Sequence, residues 1–132
     1  MPPVVGYVLI KGESAQAALA EASTTYPFQD VVSVAPDHVD SFNLEYDGWH
    51  RHDEDEVRFF ESGSGRFFLT SAEDFRSCAA VAVRVLSVCS GSYIELAAGT
   101  VHRFQSDPQG FTARRFFRTE GGGTPLPVNR RS

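Results

Sequence analysis

Short runs of β-branched and aromatic residues, separated by stretches containing Gly, Ser, Asp or Pro, recur from residue 30 to residue 118, and that rhythm limits the fold more than any other feature. The runs are Asp30 to Val34, Val57 to Glu61, Arg66 to Thr70, Ala80 to Cys89, Tyr93 to Leu96, His102 to Gln105 and Phe111 to Arg118. Seven or more short strands between turn residues predict a sandwich or a barrel. Glu61-Ser62-Gly63-Ser64-Gly65 reads as a tight turn between two of them. Ala79 to Val88 is apolar apart from Arg84 and Ser87, as a strand buried on both faces would be, although periodicity alone also admits a helix. Val4 to Ile10 reads as a further strand, and Glu13 to Glu21 as a short Ala-rich helix opened near Ser14. The expected class is therefore all-β with a short N-terminal helix.

Placed on such strands, the histidines acquire a chemical meaning. Residues two apart on a strand share a face, so His50 and His52 can offer two imidazoles to one ion. Glu56 keeps the same parity, and so does Glu54; a bulge within Asp53 to Asp55 would break it. His102 begins a later strand after the turn Ala97-Ala98-Gly99-Thr100, so a further ligand would arrive from a second hairpin. A lone His-x-His is a weak motif, and an acidic run can be only a solvated turn. With His102 added, the set is a metal site: imidazole suits Fe, Ni, Cu and Zn, and mixed His and carboxylate sets with free positions serve oxygen-using iron centres. Arg58, two residues past Glu56 on the same face, is the obvious counter-charge for an anionic substrate. His38, in Pro36-Asp37-His38-Val39-Asp40, reads as a loop histidine. The carboxylates from Asp53 to Glu56 should repel one another without a cation, so metal binding is expected to stabilise the fold.

His50-x-His52-x3-Glu56-Val57-Arg58-Phe59-Phe60, followed by Gly63-x-Gly65-x-Phe67 and Ala98-Gly99-Thr100-x-His102-x-Phe104, resembles the acireductone dioxygenase family of the cupin superfamily. The likeness extends to Tyr26-x3-Asp30-Val31-Val32, to Thr112-Ala113-Arg114-Arg115-Phe116-Phe117, and more faintly to Asn129-Arg130. It implies a double-stranded β-helix, a jelly-roll barrel, forming one domain over 1–132: a strand-helix-strand over 1–35, the metal-binding core over 45–118 and a tail over 119–132. It also selects Glu56 over Glu54, implies one Fe(II) or Ni(II) per chain, and gives Arg115 an anion-holding role and Phe104 that of an apolar wall. Tyr46 stands where the family commonly has a pocket-lining Phe, adding a phenol donor. The implied reaction cleaves an enediol with O2 in methionine salvage. In that family iron directs cleavage to formate and the keto acid precursor of methionine, and nickel directs a cleavage that also releases carbon monoxide. Ala97 replaces the family's usual Pro, and Gly121 to Pro127 replaces a segment that usually contains Trp. A related cupin dioxygenase acting on another enediol or a β-dicarbonyl, and a non-catalytic cupin that binds a metal or small molecule, are the alternatives.

Composition narrows the partners. A chain of 132 residues, 42% hydrophobic, suffices for one core. A net charge of -5 argues against nucleic acid, whose phosphates need a concentrated basic face. No apolar run reaches the roughly 18 residues of a membrane span, and the Met1 to Gly6 start lacks a signal-peptide pattern, so a cytoplasmic location is the expectation. Cys78 and Cys89 are too few for a disulfide framework and are expected to pack as small hydrophobes. No residue pattern indicates an oligomeric state.

Overall fold

The computed structural model describes residues 6–46, 48–70, 83–122 and 125–127. In chain order the elements are β1 (Tyr7–Ile10), α1 (Glu13–Thr25), β2 (Phe28–Val34), a 3-10 turn (Pro36–His38), α2 (Val39–Glu45), β3 (His50–Arg51), β4 (Glu56–Thr70), β5 (Arg84–Cys89), β6 (Tyr93–Leu96), β7 (Val101–Phe117) and β8 (Leu126–Pro127). Among the described residues every strand pairing is antiparallel.

Two long strands organise the molecule. β4 and β7 pair from Val57↔Phe116 to Thr70↔Val101, and each end of this ribbon recruits different neighbours. β6 and β2 flank the end carrying Val57 to Phe60, while β5 and β3 flank the end carrying Gly65 to Leu69. Side chains from both ends meet in one core: Phe60, Ile94, Leu96, Phe111 and Ala113 from the first, and Phe67, Leu69, Leu86 and Val88 from the second. The bent ribbon thus forms two facing layers of the expected jelly-roll kind. Among the described residues no pairing joins the outer strands β1 and β8 into a closed ring.

Alternation assigns the faces. Val57, Phe59 and Phe116 point away from the core just described and pack with Tyr93, Tyr26, Ala15 and Ala22. Alanines let α1 lie close to the sheet. Their neighbours Glu56, Arg58, Phe60 and Arg115 point the other way, into the pocket.

Several expectations change. α1 begins after Gly12 and runs to Thr25, longer than predicted at its C-terminal end; Pro27, two residues on, restricts Tyr26 to extended backbone. The region after β2 is not purely β, because α2 lies between Val34 and His50. The predicted turn at Glu61 to Gly65 is instead an irregular stretch within continuous β4, with register shifts at Phe60/Ser62 and Gly63/Gly65. Gly63 has φ +78°, and a Cβ there would strike the Gly110 carbonyl, so the glycine serves a bulge rather than a reversal. The separate strands predicted at His102 and Phe111 are likewise one strand, β7. Cys89 is exposed rather than packed, since it alternates with inward Val88 at the end of β5. Val4, Val5, Cys78, the Ala79 to Ala82 part of the apolar run, Gly123, Thr124 and Asn129-Arg130 lie outside the described residues. Among the described residues no helix is long and apolar enough to cross a membrane.

Candidate metal centre and its pocket

Register brings the histidines together. His50 is paired directly with His102 across β3 and β7, and His102 with Leu69 across β7 and β4. One ligand atom each from His50, His52 and His102 lie within 4.8 Å of one another, close enough to hold one metal ion. Simple strand parity is not what places the rest of the set. β3 ends at Arg51, and a bend at Asp53 and Glu54 intervenes before β4 begins at Glu56. Even so, Glu56 Oε1 lies 3.4 Å from His52 Nε2, and Oε2 lies 3.1 Å from His102 Nε2.

Backbone carbonyls set the tautomers. His50 Nδ1 lies 3.0 Å from the Gly48 carbonyl and His102 Nδ1 lies 2.9 Å from the Thr100 carbonyl. A carbonyl only accepts, so each Nδ1 carries the proton and each Nε2 presents its lone pair to the site. His52 Nδ1 and Nε2, His102 Nε2 and Glu56 Oε2 are buried with no hydrogen-bond partner. His102 Nε2 and Glu56 Oε2 are therefore close without being bonded, and a proton or a cation is needed between them. The donor set fits a divalent ion of the imidazole-binding kind.

Charge balance follows from the same neighbours. Burial opposes ionisation of Glu56, but Arg58, with Nη2 2.5 Å from Oε1, and His102 hold its carboxyl well below the usual range. Burial also opposes a charge on His102, and Glu56 outweighs it, raising that imidazole. His50 is pulled down to about 4 by burial and by His102, so it is neutral near pH 7.

The acidic run does not stand in mutual repulsion. Glu54 accepts from the Arg118 backbone N–H at 2.7 Å and the Thr119 hydroxyl at 2.6 Å, Asp55 accepts from the Ala98 N–H at 2.9 Å, and Asp53 lies 3.8 Å from Arg51. Only Glu56 turns inward. His38 sits in the 3-10 turn against Asp37, outside the cluster.

A pocket of about 590 Å³ opens onto the histidines and is lined by Arg58, Arg115, Phe104 and Tyr46 among others, so all eight sequence-derived site residues border one cavity. Arg115 donates through Nε and Nη2 to Asp30 at 2.6 and 2.5 Å, whereas Arg114 on the opposite face pairs with Glu61 and Arg118 lies over Tyr26. Phe104 packs 4.7 Å from Phe67 and 5.2 Å from Phe111; a Cβ at Gly65 would collide with its ring, so glycine is required beneath it. Tyr46, 47% exposed, caps α2 at the mouth. The sequence reading missed Asp30 as the partner of Arg115, and Phe42, Asn43 and Trp49 near the pocket. The Asp30↔Arg115 pairing was recoverable from charge complementarity, but α2 is a short helix without a side-chain cap.

The ARD/ARD' family model matches residues 14–125. The acireductone dioxygenase of Prochlorococcus marinus (strain MIT 9303) is 34% identical over 115 residues, which cover 83% of this chain and 56% of that protein. That of Alcanivorax borkumensis is 38% identical over 106 residues, covering 76% and 53%. The chain spans about half the length of the curated relatives it matches. Among solved structures, an acireductone dioxygenase from Bacillus anthracis with a cadmium ion in its active centre superposes with a TM-score of 0.70 at 21% identity, covering 92% of this chain and 83% of that one. A TDP-quinovose 3,4-ketoisomerase, WlaRB, from Campylobacter jejuni gives 0.57 at 10% identity, covering 79% and 71%. Both similarities are of fold.

Proposed function

The chain belongs to the ARD/ARD' family, and on that premise we propose that it is a metal-dependent dioxygenase that cleaves an enediol of the acireductone type with O2, as in methionine salvage. The observation that carries this reading is the buried group of unbonded donors, His52 Nε2, His102 Nε2 and Glu56 Oε2, opening onto a pocket that also holds two guanidiniums. A site serving only to hold a metal has no need of Arg58 and Arg115.

His50, His52, Glu56 and His102 would hold one Fe(II) or Ni(II) ion. When bound, such an ion would supply Lewis acidity that favours the ionised, electron-rich form of the enediol. The Nδ1–H bonds to Gly48 and Thr100 keep the two imidazoles oriented with Nε2 inward. Arg58 and Arg115 receive the negative charge of the ionised enediol, their planar N–H groups fixing its orientation. Phe104, Phe67 and Phe60 cover the remaining walls and keep water from that anion. The overall change is balanced by O2 alone: the bond between the two enediol carbons breaks, one becoming formate and the other the carboxyl of a keto acid.

The test is anaerobic reconstitution with Fe(II) and separately with Ni(II), followed by oxygen uptake and product analysis with an acireductone. Oxygen consumption with metal-dependent products is expected. Stoichiometric metal binding without turnover would reject the acireductone reading.

A further inference from the structure

The pocket changes character in steps of two residues along its strands, each roughly 6.6 Å. On β7 the inward side chains run from Arg115 through Ala113 to Phe111, and on β4 from Arg58 to Phe60, with Arg58↔Arg115 and Phe60↔Ala113 in register. In the facing layer His102 is followed by Phe104. The two guanidiniums are thus confined to one end, Glu45 of α2 also bordering the pocket, and the small Ala113 leaves space at the first apolar step.

Helix α2 covers the apolar end and touches both layers. The Phe42 ring lies 5.4 Å from Phe111 of one layer and 6.4 Å from Phe104 of the other, with the Tyr46 ring tilted against it one helical turn away at 4.9 Å. A specific contact fixes this helix. Asn43 Nδ2 donates to the Ser106 carbonyl at 3.0 Å, and the Ser106 N–H donates to Asn43 Oδ1 at 2.8 Å. The carboxamide therefore engages both backbone groups of one β7 residue, as a neighbouring strand would, at a level that the two-residue β3 does not reach.

We infer that Phe42 is a specificity-determining residue for the apolar substituent of the substrate, and that Asn43 is the positioning residue that holds it over the pocket. With the enediol oxygens at the end that carries Arg58 and Arg115, the chain on the ketone carbon passes Ala113 and ends against Phe42. This inference rests on the enediol reading above. A tailless enediol would fill the charged end and leave Phe42 untouched.

The experiment uses the metal-reconstituted full chain and two 1,2-dihydroxy-3-oxo-alkenes, one with a methyl and one with a pentyl substituent on the ketone. For Phe42→Ala and Asn43→Ala, kcat/KM is expected to fall about tenfold more for the pentyl compound than for the methyl one, mainly through KM. Phe42→Leu, a milder core change, is the counterpart should either alanine variant fold poorly, with a smaller loss of the same selectivity. Equal losses on both compounds, or none on either, would overturn the assignment to α2 while leaving the enediol reading intact. Failure of the unsubstituted protein to consume oxygen with either compound would overturn both.

Discussion

Arg58 and Arg115 stand directly opposite each other on β4 and β7, two like charges in register that line the same pocket as the histidine cluster. Like charges in opposed positions weaken a sheet. Here each is compensated on its far side, Arg58 by Glu56 and Arg115 by Asp30, and the Phe117 ring lies 5.8 and 5.1 Å from the two guanidinium carbons. The four charges sum to zero. A divalent cation beside Glu56 would leave this end of the pocket positive, so cation binding and attraction for any anion there are coupled through the Arg58–Glu56 pair.

Arg58→Ala should therefore do more than reduce turnover. Arg58 and Glu56 are both largely buried, and removing one partner of a buried pair typically costs about 3 to 5 kcal/mol. The loss should fall mainly on the metal-free protein, because a bound cation supplies Glu56 with a substitute positive charge. Thermal denaturation with and without a divalent metal is the measurement. An equal loss of stability in both forms would contradict the coupling.

Asp30→Asn probes the outer pair. The hydrogen bond from Arg115 lowers the Asp30 carboxyl, burial opposing it. A depressed carboxylate contributes stability that is complete above its ordinary value near 3.8 and is lost as pH falls through the lowered one. The variant should lack that acid-range contribution and, with Arg115 no longer oriented by a fork, show a higher KM for an enediolate. Denaturation between pH 5 and about 2, with steady-state kinetics near neutrality, would test both statements.

The grouping of His50, His52, Glu56 and His102 was legible because three histidines and an acid are distinctive residue types whose spacing survives errors in the assumed backbone. His52 and Glu56 meet across a bend rather than along one strand, yet the predicted residues still lie side by side. Arg58 and Arg115 were legible through alternation and family resemblance. What stayed hidden depends on three-dimensional closure. Gly63 and Gly65 carry turn chemistry, but Gly63 makes a bulge because the chain on both sides remains paired to β7. α2 is too short to show a helical period, and the function of Asn43 appears only when Ser106, far away in sequence, is brought beside it. Cys89 follows the apolar Val88 in sequence and has solvent beside it in space.

Removing the metal should lower stability measurably. Any ligand held by the native state alone adds RT ln(1 + [L]/Kd), about 2.7 kcal/mol at a free concentration of 100 Kd. Chelator-treated protein should melt at a lower temperature, recover with added divalent ion, and show little recovery in His52→Ala or Glu56→Gln. Identical melting of treated and reconstituted wild-type protein, with metal content verified, would exclude the cluster as a binding site.

The metal-free protein should also show opposed histidine limbs in its pH dependence. His50 is lowered from 6.5 to about 4, chiefly by burial, so the folded state binds fewer protons than the unfolded chain in that interval. Its contribution to stability is complete above pH 6.5 and declines as pH falls towards about 4. His102 is raised: burial works against its charge, but the Glu56 carboxylate prevails. Its contribution is complete below 6.5 and is lost as pH rises through the raised value. Together the two predict greatest stability of the metal-free protein near pH 6.5. His50→Gln should flatten the decline between 6.5 and 4 and leave the alkaline side in place, as read from urea denaturation across that range. Metal should shift the optimum upward, because protons compete with the cation for the same Nε2 lone pairs. An unchanged acid limb in His50→Gln would show that His50 does not titrate with the low value its burial imposes.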